Sequence, residues 1–181
     1  MDILRTSRLS LRTWREDDID AFVRVTADPA VHDFLPGPWT HEKTSALAAA
    51  QNAQFERHGS CYFAATLCDS GALIGFVGLK YQDADLPFAP CFELGWCLGT
   101  GYWGQGYASE GARACLAHGF DTLGLQEIIS FTVPANLRSR AVMERLGLRH
   151  HPEDDFDHPA LAPGHRLSRH VLYRIARPAR A

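Results

Sequence analysis

The feature that most constrains this chain is a glycine-dense turn between an apolar strand and a helix. The strand is Cys91–Leu98, and the turn Gly99–Gly106 contains four glycines. Residues 105–121 then place apolar side chains at helical spacing. A glycine turn that enters a helix directs several backbone N–H groups one way, and the helix start adds partial positive charge. The unit therefore predicts a cradle for a phosphate group.

The turn also matches the dinucleotide-binding pattern GxGxxG over Gly99–Gly104. That fingerprint needs an acidic residue at the end of the following strand, where it holds the ribose. The following strand ends in Thr132–Asn136 without an acid, which disfavours a nicotinamide dinucleotide. A purely structural turn and a cradle for another phosphate ligand both remain open at this point.

The rest of the chain alternates strands and helices. Period-two or continuous apolar segments predict strands, and helical spacing with the caps Thr40 and Gly59 predicts helices. The predicted elements are a strand at 3–14, helices at 16–27 and 41–58, strands at 62–67, 72–81 and 91–98, a helix at 105–121, a strand at 127–133, a helix at 136–146, and strands at 148–151 and 168–175. This order indicates one mixed α/β sheet covered by helices, in a single domain over residues 1–181.

Composition excludes several classes of protein. Apolar residues make up 46% and charged residues 22%, as in soluble globular proteins, and no segment approaches the roughly 18 apolar residues of a membrane span. The net charge of −3 gives no basic surplus for nucleic acid. The five scattered cysteines form no CxxC pair, which argues against disulfides and zinc and for the reducing cytoplasm. No metal site is predicted from the irregularly spaced histidines His150, His151, His158, His165 and His170.

Trp103–Ala108 resembles the (Q/R)xxGx(G/A) pyrophosphate loop of the GNAT N-acetyltransferases. The longer segment YWGQGYASEGA is similar to the branch that includes ribosomal-protein N-terminal acetyltransferases. Further similar segments follow in family order at residues 6–12, 75–79, 93–96, 136–139 and 145–148. The resemblance implies a mixed sheet of about seven strands flanked by about four helices, and acetyl transfer from acetyl-CoA to an amine.

The resemblance also assigns the residues that hold acetyl-CoA. Main-chain amides of the loop hold the pyrophosphate, and the pantetheine arm lies between the strands at 91–98 and 127–133. Trp103 stands where the family usually has Gln or Arg, which removes one polar contact to the cofactor. The implied cofactor-binding residues are Trp96, Cys97, Leu98, Trp103, Gly104, Gln105, Gly106, Tyr107, Ala108, Ser109, Asn136 and Met143.

Glu93 and Ser139 are the candidate catalytic residues. An attacking amine must be neutral, and Glu93, beside Gly95 where this fold usually bulges and opens, would accept its proton directly or through water. The alternative for Glu93 is a strand carboxylate in a surface salt bridge. Many family members have a tyrosine at the position of Met143 that protonates the departing thiolate, and methionine cannot do so. In the branch that this chain resembles, a serine at the position of Ser139 has this role, so the resemblance makes Ser139 the candidate donor, with a plain helix-surface hydroxyl as the alternative.

Other residues near the loop have competing interpretations. Cys97 could be a nucleophile, but no histidine is placed to activate it and direct transfer needs no covalent intermediate, which favours packing. Asn136 is a good N-cap, and the resemblance adds a hydrogen bond to the cofactor arm. Arg138, Arg140 and Arg145 either meet the 3′-phosphate or form a solvated basic face.

The acceptor pocket of this fold is usually shaped by the loop at 34–39 and by the acidic loop near 153–157. Phe34, Trp39 and Phe156 could line it or cap the core, and the acids would favour a cationic amine or serve only solubility. The expected acceptor is a protein N-terminal α-amine, a small amine or an amino sugar. The protein is expected to be a monomer or a homodimer. The rival interpretation is a non-catalytic module that binds and senses acyl-CoA.

Overall fold

The computed structural model describes residues 2–35, 39–83 and 85–179. Of the predicted loop at 34–39, residues 36–38 therefore lie outside the described residues. The strands are β1 (Asp2–Arg5), β2 (Leu9–Arg12), β3 (Tyr62–Leu67), β4 (Leu73–Gln82), β5 (Cys91–Leu98), β6 (Glu127–Thr132), β7 (Arg149–His150), β8 (Phe156–Asp157) and β9 (Arg169–Ala176). The helices are α1 (Asp18–Ala27), α2 (Pro29–His32), α3 (His41–His58), α4 (Tyr107–Ala117) and α5 (Leu137–Arg145).

The strands form one mixed sheet in the order β1-β2-β3-β4-β5-β6-β9-β7, with β8 paired to β9. The described pairs are antiparallel, apart from β5 and β6, which run parallel. The register of that parallel pair consists of Glu93 opposite Ile129, and the two strands separate towards their C-terminal ends. The predicted mixed α/β sheet is confirmed, and its strands outnumber the seven expected.

Some element boundaries differ from the predictions. The strand predicted at 3–14 is two strands, because the chain reverses where the amide of Thr6 donates to Leu9 O at 2.9 Å. Four residues in each strand are too few for alternation to show the reversal. The helix predicted at 105–121 is α-helical to Ala117 and ends in a π-helical turn. The short α2, β7 and β8 are too brief to show any period.

The ends of α3 are set by the two residues that the sequence indicates. Thr40 Oγ1 accepts a hydrogen bond from the amide of Lys43 at 3.2 Å. Gly59 adopts φ of +70°, and its amide donates to Phe55 O at 2.8 Å. A left-handed glycine at this position is a common helix end.

Alternation along the strands sends side chains to the two faces of the sheet, and helices pack on each face. On one face, here called the α4 face, Leu94 packs with Ala112 of α4. On the other, the α1 face, Ala64 packs with Phe22 of α1 and Ala48 of α3. Among the described helices, none combines the length and the apolarity needed to cross a membrane.

Candidate active site

A cleft of about 960 Å³ opens where β5 and β6 separate. Ser130 Oγ donates to Leu94 O at 2.7 Å and joins the two strands at its closed end. Beyond that bond, the cleft is lined by residues 96–98 of β5 and 131–133 at the end of β6. Its lining includes residues of both faces of the sheet, so it connects the loop before α4 with the α1 face.

The loop before α4 supplies free backbone amides at this cleft. Gly104 and Gly106 adopt φ of +72° and +83°, which residues with a Cβ rarely adopt. Within the described part of the chain, the amides from Gly104 to Ser109 donate to no other group. Such a set of amides at a helix start can bind a phosphate. The Trp103 amide is not part of the set, because it donates to Thr100 O at 3.1 Å.

An ion pair between the residue before β2 and α4 supports this loop. Arg8 Nη2 lies 2.6 Å from Glu110 Oε2, and Arg8 Nη1 donates to Gln105 O at 3.0 Å. Burial acts to raise the pKa of Glu110, but hydrogen bonds from Thr6 and Arg8 outweigh it and lower the pKa. Gln105 Nε2 donates to Gly101 O at 2.7 Å. Unlike its neighbours in the loop, Gln105 does not line the cleft, because its side chain is used to support the turn.

The side chain of Trp103 is also held within the protein. Its Nε1 donates to Leu98 O at 2.7 Å, and the guanidinium of Arg138 lies 4.6 Å from the centre of its ring. The single N–H donor of the indole is therefore used. The main-chain amides remain as the anion-binding groups of the loop.

Glu93 lies near the closed end of the cleft, on the α1 face, and is only 8% exposed. Its carboxylate accepts a hydrogen bond from Gln82 Nε2 and interacts with the phenol of Tyr62. Burial raises the pKa of Glu93, while Gln82, Tyr62 and the charge of Lys80 act in the opposite direction. The carboxylate is therefore not part of a surface salt bridge. A raised pKa suits a group that accepts a proton near neutral pH.

Tyr62 occupies the space that a side chain at position 95 would need. A Cβ on Gly95 would lie 2.8 Å from atoms of the Tyr62 ring, and this ring stacks on Phe76 with the ring centres 4.9 Å apart. Pairing between β4 and β5 is continuous along β5, so the bulge expected beside Gly95 is wrong. The glycine makes room for Tyr62, and the opening comes from the separation of β5 and β6.

Asn136 caps α5 and ties it to β6. Its Oδ1 accepts a hydrogen bond from the Ser139 amide at 3.2 Å, and its Nδ2 donates to Thr132 Oγ1 at 3.1 Å. The N-cap interpretation is confirmed. Ser139 and Met143 both line the cleft, and Met143 is buried against Tyr173.

Of the three aromatic residues expected in the acceptor pocket, Phe34 lines the cleft, whereas Trp39 and Phe156 do not. Trp39 packs edge-on against Phe22, with the ring centres 5.9 Å apart. Phe156 is buried and packs edge-on against Phe88 at 4.9 Å. The structure thus places Trp39 and Phe156 as caps of the core, because each has an aromatic partner behind the cleft wall.

The acidic loop near 153–157 does not line the cleft either. Its carboxylates have basic partners: Glu153 with His151 at 3.8 Å, Asp154 with Arg174 at 2.7 Å, Asp155 with His150 at 2.7 Å, and Asp157 with Arg169 at 3.8 Å. These pairs reduce the field that the loop projects towards the cleft. The structure gives no support to attraction of a cationic amine by this loop.

Sequence reasoning missed a group of cleft residues that come from distant strands. They are Tyr62, Phe76, Ser130, Phe131, His158 and His170. Alternation assigns the strand residues to a face, but it does not show which strands separate. His158 and His170 meet only because β8 pairs with β9, and a two-residue strand leaves no sequence signal.

The thiol at the cleft is not activated. Burial raises the pKa of Cys97 to about 12, so the thiol stays protonated at neutral pH, and its side chain packs against the hydrophobic cluster of the α1 face. Both observations favour packing over nucleophilic attack. Among the described residues, no group of three or more His, Cys, Asp or Glu side chains is arranged to hold a metal ion.

A second, open cleft of about 680 Å³ adjoins the same loop. Arg8, Arg113 and Arg145 line it together with Gly106. Glu110, which is paired with Arg8, also lines this cleft, so Arg113 and Arg145 are the guanidinium groups that suit a second phosphate group. Arg140 is directed elsewhere, since its Nε donates to the hydroxyl oxygen of Tyr173 at 3.1 Å.

Comparison with known proteins identifies the family. The acetyltransferase (GNAT) domain family matches residues 8–149. The chain is 32% identical over 148 residues to YnaD, an uncharacterised N-acetyltransferase of Bacillus subtilis, and the match covers 81% of this chain and 82% of that protein.

Solved structures of acetyltransferases share the fold of this chain. An acetyltransferase from Agrobacterium tumefaciens has a TM-score of 0.76 at 32% identity, covering 95% of this chain and 92% of that one. RimL, a ribosomal alpha-N-protein acetyltransferase in complex with coenzyme A, has a TM-score of 0.78 at 15% identity, covering 97% and 98%; this second likeness is one of fold. The chain belongs to the GNAT acetyltransferase family.

Proposed function

We propose that this protein transfers an acetyl group from acetyl-CoA to a primary amine. The observation that carries the proposal is the pairing of free loop amides with a cleft that crosses the sheet. The amides from Gly104 to Ser109 donate to no other described group, and the cleft leads from them to Glu93. A diphosphate fits the amides, and a slender arm fits the gap between β5 and β6.

The residues that would hold acetyl-CoA are those at the loop and along the gap. The amides of Gly104–Ser109 would bind the pyrophosphate, and Arg113 and Arg145 would meet a further phosphate in the second cleft. Residues 96–98 on one side and 131–133 on the other would flank the pantetheine arm. Acetyl-CoA supplies the acyl thioester, and every other step belongs to side chains of this chain.

Glu93 is proposed as the base that takes the proton of the amine. Free α-amines have pKa values near 8 and lysine near 10.4, so most of the amine is protonated at neutral pH. Glu93 lies on the face opposite the loop, and its raised pKa makes its carboxylate a better proton acceptor than an exposed glutamate. The neutral amine then attacks the thioester carbonyl directly: the C–N bond forms, the C–S bond breaks, and the sulfur leaves as a thiolate. The nitrogen loses its second proton in this step, and Ser139 regains that proton when its hydroxyl protonates the sulfur.

Ser139 is proposed as the group that returns a proton to the thiolate. It lies in the first turn of α5, and its amide is fixed by Asn136. Ser139 and Met143 both line the cleft. Methionine has no proton to give, so the serine hydroxyl is the donor that α5 offers there.

Turnover with an amine panel tests the function. Release of the free thiol of coenzyme A is measured with acetyl-CoA and a broad set of primary amines, beside direct measurement of coenzyme A binding. We expect binding and amine-dependent thiol release. Tight binding without turnover on any amine would instead identify an acyl-CoA sensor, the alternative raised by methionine at position 143.

A further inference from the structure

The lining residues at the α1-face end of the cleft differ from those near the loop, and they indicate which kind of amine could bind there. Glu93 lies on this face because it alternates along β5 with Cys97, which packs in the α1-face cluster. Ile129 lies opposite Glu93, and Phe131, two residues further along β6, shares its face and packs in one cluster with Leu172. His170 alternates with Leu172 along β9 and so shares the face. The loop that binds phosphate lies on the opposite face, with α4. An acceptor would therefore meet Glu93 from this side.

The wall of this acceptor side is made of rings. His170 lies 5.4 Å from Phe131 and 5.3 Å from His158, measured between ring centres. Behind them, Phe156 stacks on His170 at 5.5 Å with the ring planes 28° apart. Of these rings, Phe131, His158 and His170 line the cleft, and Leu161 and Leu167 extend the apolar lining.

On the α1 face, Glu93 is the charged residue among the described residues that line the cleft. The other charged residues that line the described cleft, Arg138 and Arg145, belong to α5 on the α4 face. Burial lowers the pKa of both His158 and His170, so their rings are neutral at neutral pH.

Two charged groups face the imidazoles from neighbouring strands, Lys80 of β4 and Asp157 of β8. Neither of them lines the cleft, and Asp157 is paired with Arg169. A second positive charge on the acceptor would therefore find no free carboxylate on the described wall once Glu93 serves the reacting amine.

We propose that the acceptor is a primary amine on a flat aromatic body without a second positive charge, and that Phe131, His158 and His170 form the wall against which this body packs. The proposal rests on the proposed acetyltransferase function. Aromatic rings in such contacts prefer offset or edge-on partners and gain affinity beyond simple burial. A small aromatic amine and an α-amine on an aromatic residue share this chemistry.

Two matched pairs of acceptors test the proposal and separate these sources. Phenethylamine is compared with cadaverine, and phenylalaninamide with argininamide, each by kcat/KM for acetyl-CoA-dependent thiol release. We expect the aromatic member of at least one pair to be favoured roughly tenfold or more, the factor that about 1.4 kcal/mol supplies. Preference in the first pair points to a small molecule, and preference confined to the second points to an N-terminal residue.

Variants of the wall give an independent readout. His170→Ala should raise KM for the favoured aromatic amine about two- to tenfold, with coenzyme A affinity unchanged. His170→Phe keeps a flat ring and should keep the wild-type KM. His158→Ala provides a second variant if the first unfolds, and His151→Ala, an exposed histidine nearby, is the control.

The outcomes are distinct. Equal or better turnover of cadaverine and argininamide overturns the aromatic acceptor and leaves the acetyltransferase intact. An unchanged KM in both alanine variants removes His158 and His170 from the wall. Coenzyme A binding without turnover of any amine defeats the proposed function, and this inference with it.

Discussion

Burial makes the carboxylate of Glu93 costly to ionise and so raises its affinity for a proton, which the proposed role of a base requires. Glu93→Gln keeps the size of the side chain and its contact with Gln82, but it cannot accept the proton of the amine. We expect kcat/KM to fall by roughly 10²–10⁴-fold at neutral pH, the usual contribution of a positioned base. Glu127→Gln, which changes an exposed carboxylate on β6, should leave the rate unchanged.

The pH dependence of the same variant follows from the raised pKa. Wild-type activity should fall as the pH drops through the pKa of Glu93, which lies above its ordinary value, and Glu93→Gln should lack this acid limb. Because the folded state binds this proton more tightly than the unfolded state, Glu93 lowers stability as the pH rises above the ordinary glutamate range. Glu93→Gln should therefore retain or raise Tm at neutral pH. An unchanged pH–rate profile would remove Glu93 from the reaction.

Substitution of Tyr62 should also shift the acid limb of the pH–rate profile, because Tyr62 affects the pKa of Glu93. The phenol stabilises the charged form of Glu93 and so opposes the effect of burial on its pKa. Tyr62→Phe should shift the acid limb to higher pH, while the stacked ring against Phe76 is retained. Tyr81→Phe, whose ring stacks on His58 outside the cleft, is the matched control. A shift to lower pH, or none, would show that the phenol does not act on the carboxylate.

At the scale of one element, the start of α4 depends on a backbone conformation rather than on side chains. Gly106 adopts φ of +83°, and an alanine there would be strained by about 1 kcal/mol or more. Gly106→Ala should therefore turn the loop amides and weaken coenzyme A binding roughly fivefold or more, the value of about one hydrogen bond. Isothermal titration checks this, with Gly101→Ala as control, since its φ is not positive and its Cβ would meet nothing within 4 Å. Equal affinities for both variants would argue against the amides as the binding groups.

The same element shows what could be predicted from the sequence. The loop, the strand before it and the cap at Asn136 are local, so each signal lies within a few residues of the structure that it predicts. The acceptor side is not local: Tyr62, Glu93 and His170 come from three strands, and no pattern within any one of them shows where β5 and β6 separate. The two interpretations of Trp39 could not be separated from the sequence for the same reason, because its partner Phe22 lies on α1.

At the scale of the molecule, the sheet has two parts that meet at β5 and β6. The parts are joined by the short parallel register at Glu93, by the bond from Ser130 to Leu94, and by packing of Ile128 of β6 in the core beneath α4. A ligand held between the two strands would contact both parts. Its binding energy would then add directly to the stability of the whole fold.

A buried ion pair outside the cleft allows this coupling to be measured. Arg12 Nη1 and Nη2 meet the two oxygens of Asp18 at 2.6 and 2.7 Å, with side chains only 8% and 5% exposed. The hydrogen bond to Asp18 raises the pKa of Arg12. Arginine stays protonated in proteins even without such a bond, so removal of Asp18 leaves a buried charge without its partner. Asp18→Asn should cost about 3–5 kcal/mol, which lowers Tm by roughly 6–20 °C in a chain of this size. Asp2→Asn, at the exposed pair with Arg5, should change Tm little.

Coenzyme A should offset much of that loss if the fold unfolds as one unit. A ligand at a hundred times its Kd stabilises the native state by about 2.7 kcal/mol, which is comparable to the lower end of the cost of Asp18→Asn. Because the ion pair lies on β2 and α1 and does not line the cleft, the variant should bind coenzyme A with wild-type affinity. Differential scanning calorimetry should then show the same increase in unfolding free energy for both proteins. A single transition that shifts in wild type but splits in the variant would mean that the two parts of the sheet unfold separately.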